Sequence, residues 1–200
     1  MPFTPFHFGP GALIHALAPR RVSFLGFAAA NVLIDVEPLY FMLAGEAHVH
    51  RFFHTYLGAL LVALATWGLF LSARALAGTL RLPNWLGWQF LSSGAVLLGA
   101  LLGTASHIVL DSVMHSDMMP LAPWNEGNAL FAWMSIDALH ELCLGAAGLG
   151  LLLVFWRRAG RRQAAGASPE LRLSEEGDAP ANACPPPGAG REGERERTES

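Results

Sequence analysis

The sequence predicts an all-α membrane protein: a polytopic bundle of about four spanning helices, preceded by a short N-terminal helix that half-crosses the bilayer or lies in its interface. Three observations lead there. Of 200 residues, 52% are hydrophobic and only 14% charged, against about 25% charged in a typical soluble domain. The mean hydropathy is +0.36. The charges are also unevenly placed: residues 157–200 hold eight of thirteen basic and eight of sixteen acidic residues. The first 156 residues therefore carry few charges, yet all eight histidines.

Each predicted element follows from the apolar runs. Three stretches, roughly 55–73, 87–110 and 135–156, have the length of about 20 apolar residues that a spanning helix needs. A fourth, from 22 to Phe41, is long enough if Asp35 and Glu37 sit at or near a membrane surface. Residues 10–18 are too short to cross and stop at Pro19. The N-terminus lacks a basic n-region and a small-residue cleavage site, so His7 is expected to stay on the mature chain. Residues 1–156 thus read as a membrane-embedded domain. Residues 157–200, rich in Gly, Ala, Pro, Glu and Arg, read as a disordered cytoplasmic tail.

Orientation follows from the positive-inside rule. The loop after the first long span holds Arg74 and Arg81, and the last span is followed by Arg157, Arg158, Arg161 and Arg162, so both are expected inside. The loop 111–134 has no Arg and is expected outside. Trp85, Trp88, Trp124, Trp133 and Trp156 flank the same boundaries, as interfacial tryptophans do. Membrane lipids are the expected surroundings. The net charge of −3, with no Arg cluster in the first 156 residues larger than the pair Arg20-Arg21, gives no sign of a nucleic-acid partner, and none is expected. Cys143 and Cys184 cannot form a disulfide framework.

With this topology, Asp35 and Glu37 end one span, His50 and His54 open the next, and His107 and Asp111 close another. All fall at one membrane face, where ionisable residues are costly enough to suggest function. Residues four apart on a helix share a face, so His107 with Asp111, and His50 with His54 if that segment is helical, can each address one ion. Imidazole and carboxylate donors suit a zinc-like divalent ion, and more than four of them would allow two ions bridged by a carboxylate. The expected ligands are His7, Asp35, His50, His54, His107 and Asp111. Glu37 is the spare base, and Arg51 either snorkels or holds an anionic group. Thr55 reads as a helix cap. Asp137, His140 and Glu141 share a face and are candidates to orient ligating imidazoles. His48 and His115 are loop-edge candidates, His15 reads as structural, and Asn31 reads as a packing residue between helices.

These residues resemble the YdjM-like membrane-bound metal-dependent hydrolases, a family itself likened to zinc-dependent phospholipase C. The likeness covers most of residues 1–125: His7 in Thr-Pro-Phe-His-Phe, the acidic pair Asp35-Val-Glu37, the segment His50-Arg51-Phe52-Phe53-His54-Thr55, and Ser106-His107-Ile-Val-Leu-Asp111 followed by Pro-Leu-Ala-Pro-Trp at 120–124. Here Phe52 replaces a family glycine, and Glu37 replaces the more common aspartate. The resemblance implies an inner-membrane hydrolase in which one or two divalent ions, zinc foremost, activate water against a phosphoester or lipid-like substrate. The alternative reading is a metal-binding transporter or a non-catalytic membrane scaffold using the same cluster.

Overall fold

Six α-helices, three short 3-10 turns and no strand make up the described residues 5–177 of this computed structural model, with side chains described as far as residue 163. The chain divides into two units, 1–158 and 159–200. The first holds the bundle. It begins with the 3-10 turn Pro5–His7 and the short helix α1 (Phe8–Leu17), then α2 (Phe24–Ile34) and α3 (Val36–Leu43). The 3-10 turn Phe52–His54, α4 (Tyr56–Leu76), the 3-10 turn Trp85–Phe90, α5 (Ser93–Met114) and α6 (Ile136–Gly177), which belongs to this unit as far as residue 158, complete the order. Four segments are long and apolar enough to cross a membrane: Phe24–Leu43, Tyr56–Leu76, Ser93–Met114 and Ile136–Gln163. The chain is thus a multi-pass helical protein of the expected class.

Side-chain chemistry sets the helix starts. Ser23 caps α2 by accepting from the Gly26 N–H at 3.2 Å, and Thr55 caps α4 by accepting from the Gly58 N–H at 3.0 Å. Between α2 and α3 the ladder breaks at Asp35, because Pro38 has no N–H to give the Ile34 carbonyl. The expected span from 22 to Phe41 is therefore two helices in series. Asp35 lies at their junction, inside the apolar segment instead of at its end.

Helices α2 and α5 pack along matched stripes spaced by four residues, Ser23, Phe27, Asn31 and Asp35 against Ala95, Gly99, Gly103, His107 and Asp111. The Ser23 N–H donates to the Ala95 carbonyl at 2.9 Å. One step on, a Cβ on Gly99 would collide with the Ser23 carbonyl oxygen. At the next, a Cβ on Gly103 would lie 2.6 Å from the Phe27 carbonyl oxygen. Small residues let the two backbones approach this closely, as they do in membrane bundles generally. Both helices run the same way, so each turn up α2 meets the next turn up α5, and the stripes end together at their polar residues. Helix α1 lies against α6, where Gly9 and Gly150 meet backbone of the facing helix and Arg157 donates to the Ala16 carbonyl.

Helix α6 continues to Gly177. It overlaps the segment expected to be a disordered tail; the remainder of that segment, 178–200, lies outside the described residues.

Candidate metal centre

The matched stripes of α2 and α5 end at the centre. Asp35, from the α2–α3 junction, and His107 and Asp111, one turn apart on α5, meet His54 from the 3-10 turn before α4. All four are buried, and each offers a ligand atom within 4.8 Å of the others. His107 Nε2 lies 3.3 Å from Asp35 Oδ1 and 3.1 Å from Asp111 Oδ2. His54 Nε2 lies 3.9 Å and 3.6 Å from the same two oxygens. Donors held 2.0–2.1 Å from a tetrahedral ion stand about 3.3 Å apart. The spacing fits an ion.

The imidazoles are turned for the same task. The Asn31 Nδ2 donates to the Phe27 carbonyl at 2.9 Å, which fixes the amide so that its Oδ1 faces His107 Nδ1 at 3.0 Å. That oxygen can only accept. His107 therefore carries a proton on Nδ1, which leaves Nε2 as the ring atom that faces inward to ligate, the arrangement partner groups impose on metal-ligating histidines. His54 Nδ1 lies 3.5 Å from Glu37 Oε2 on its far side. The Nε2 atoms of His54 and His107 are buried without a hydrogen-bond partner among the described residues. Buried polar atoms are seldom left so; a cation would satisfy both.

A second group shares Asp111. It consists of His50, Asp111 and His115, again with ligand atoms within 4.8 Å of one another. Asp117 holds His50 from behind: its Oδ1 accepts from His50 Nδ1 at 2.9 Å, and its Oδ2 accepts the Val49 and His50 backbone N–H groups. His50 Nε2 is thereby turned toward Asp111 Oδ2, 3.9 Å away. Burial, with the neighbouring His54 adding to it, holds the His50 imidazole below its usual value, against Asp117. Burial lowers His115 likewise. For His54, burial works downward, but the Asp111 and Glu37 carboxylates beside it prevail and raise it. Burial would raise Asp117, yet its hydrogen bond with His50 brings it below the ordinary carboxylate value.

The other expected site residues take these places. His7, in the N-terminal 3-10 turn, has Nε2 3.2 Å from Asp111 Oδ1 and its ring against that of His107; it stands beside the four-residue group and outside it. His50 and His54 come together, with ring centroids 4.8 Å apart, through a loop and a 3-10 turn and not through one helical turn. Glu37 Oε2 accepts the Phe53 and Arg51 backbone N–H groups at 2.8 and 3.3 Å, pinning this turn. The Arg51 guanidinium pairs with Glu46 at 3.1 Å, donates to the His48 carbonyl and lies over the Phe41 ring at 3.7 Å. His140 stacks on Phe6, Asp137 and Glu141 are exposed, and His15 bonds the Val22 carbonyl.

Asn31 and Asp117 were not recognised as supports for imidazoles. A usable signal existed for each. Asn31 stands one turn before Asp35 in an apolar helix, and Asp117 lies two residues after His115. No protein-family model, curated protein or solved structure matches this chain.

Proposed function

We propose that this chain is a membrane-bound metal-dependent hydrolase, as its resemblance to the YdjM-like family implies. One observation carries the reading: four buried donors from three separate segments converge at the spacing of ligands around one ion. Asp35, His54, His107 and Asp111 would hold a divalent ion, with zinc best suited to two imidazoles and two carboxylates. When bound, such an ion supplies Lewis acidity and makes water a nucleophile near neutral pH. The chain's own residues hold and orient. Asn31 fixes His107, and Glu37 pins the turn that carries His54 and lies beside its imidazole, which makes Glu37 a positioning residue before it is a base.

Substrate class is supported by what borders the centre. An apolar hollow of about 380 Å³ runs beside His50 and Arg51, lined by Phe52, Leu57, Met119 and Pro123. It suits the hydrocarbon part of a lipid-like phosphoester. Arg51, engaged by Glu46, would have to exchange that partner to hold an anionic group.

The test measures metal and turnover together. Wild type purified in detergent should contain a divalent ion by mass spectrometry, and His107→Ala and Asp111→Asn should lose it. On a panel of phosphodiesters and lipid esters, wild-type turnover should fall to baseline on chelation and return with zinc. Equal, near-zero metal in all three proteins would remove the metal reading. Metal retained with no turnover across the panel would leave the transporter or scaffold reading in its place.

A further inference from the structure

Two candidate ligand groups meet at a single carboxylate. Asp111 belongs both to the deep group with Asp35, His54 and His107 and to a shallower one with His50 and His115. We propose that His50, His115 and Asp111 form a second cation subsite, with Asp111 shared between two ions, and that the outer ion is the one exposed to ligand. The proposal rests on the metal reading above and extends it to a residue, His115, that the sequence placed at the edge of a loop.

Three features point this way. His50 is built as a ligand: Asp117 Oδ1 accepts a hydrogen bond from its Nδ1 at 2.9 Å, leaving Nε2 as the ring atom that faces Asp111. Its ring and that of His115 stand with centroids 4.4 Å apart, so the two imidazoles address the same space. Charge agrees. Asp35, Glu37, Asp111 and Asp117 all lie against the imidazoles of the two groups, while Arg51, the nearest arginine in sequence, pairs with Glu46. Asp35 and Asp111 are buried and Glu37 and Asp117 half-buried, so a second dication would add positive charge beside Asp111, where buried charge is costly unless it is compensated.

Access distinguishes the two subsites. His54 and His107 have no exposed surface. His50 and His115 instead border a pocket of about 250 Å³ whose wall also includes Pro38, Met42, Val49 and Asp117. A ligand entering there meets the outer subsite first. The deep ion would hold Asp111 and the helices in place, and the outer one would meet the incoming group.

Metal stoichiometry tests this directly. The full chain in detergent is loaded with Zn²⁺, freed of excess, and its metal per chain measured for wild type, His115→Ala and His107→Ala, with helix content by circular dichroism as the check on folding. Two ions in wild type and one in folded His115→Ala are expected. One ion in both would overturn the second subsite and leave the hydrolase reading standing. Two in both would overturn the assignment of His115, and none in wild type would overturn both readings. Mn²⁺-loaded wild type gives a measurement that needs no variant: a carboxylate-bridged pair shows an exchange-coupled multiline paramagnetic resonance spectrum. An uncoupled six-line signal alone from fully loaded protein would overturn the shared site.

Discussion

At the scale of single residues, the histidines that converge here are useful only because something behind them fixes which nitrogen carries the proton. Asn31 does this for His107. Replacing it with Leu keeps the bulk but removes the acceptor, and should weaken metal binding by about 10- to 100-fold, the usual cost of losing a group that orients a ligand; competition against a chromophoric chelator measures it. His54 gives a proton-linked expectation. With Asp111 and Glu37 beside it, its imidazole is raised above the ordinary 6.5, so just above that pH it holds its proton more fully than an ordinary imidazole, which is by then a little more than half deprotonated. Metal uptake there should release that proton, because the ligand must be neutral. Calorimetry in buffers of different ionisation enthalpy counts it, and Glu37→Gln should reduce the count. The donor types were legible in the sequence, since His and Asp in apolar segments have few other uses. Their supports were not. An asparagine in a helix that packs on its neighbours looks the same whether it binds a helix or an imidazole.

At the scale of elements, the centre depends on the register between α2 and α5. Gly103 lies where a side chain would press on the Phe27 backbone, which cannot yield as a flexible side chain would. Gly103→Val should therefore cost about 1–3 kcal/mol, the usual penalty of overpacking, and should lower metal content by moving His107 off Asn31. Thermal unfolding in detergent, followed with the metal assay, reads both. Gly145 on α6 has nothing within 4 Å of where its Cβ would stand. Gly145→Ala should unfold at or slightly above the wild-type temperature, since Ala favours helix by up to about 1 kcal/mol. Apolar length located each spanning helix, although the third starts at Ser93 and not at 87 and the last runs past 156 to Gln163. The break at Asp35 was harder to see: the run continues past it to Leu43, and the interruption comes from the missing N–H of Pro38 three residues later. The spacing of His50 and His54 suggested a helical turn, but the chain there is a loop pinned by Glu37 and Asp117.

At the scale of the whole molecule, both candidate groups lie at the end of the bundle where α5 finishes and α4 begins. Arg74, in the last turn of α4, and Arg81, just after it, mark the other end, so the positive-inside rule predicts that the groups face the exterior. Reporter fusions should place the segment after Leu76 and the region following Trp156 in the cytoplasm, and the loop between Met114 and Ile136 outside. The reverse pattern would put the centre on the cytoplasmic side. The sequence by itself determined that this is a helical membrane protein and which residue types it spends at one end of its spans, because hydrocarbon admits few charges and only long apolar runs can cross it. Only the tertiary structure decided which of those residues meet. That outcome depends on how closely two glycine-lined helices approach, on where a proline breaks a third, and on how a loop is tied down. These are relations between segments far apart in the chain, 76 residues in the case of His107 and Asn31, and no local pattern encodes them.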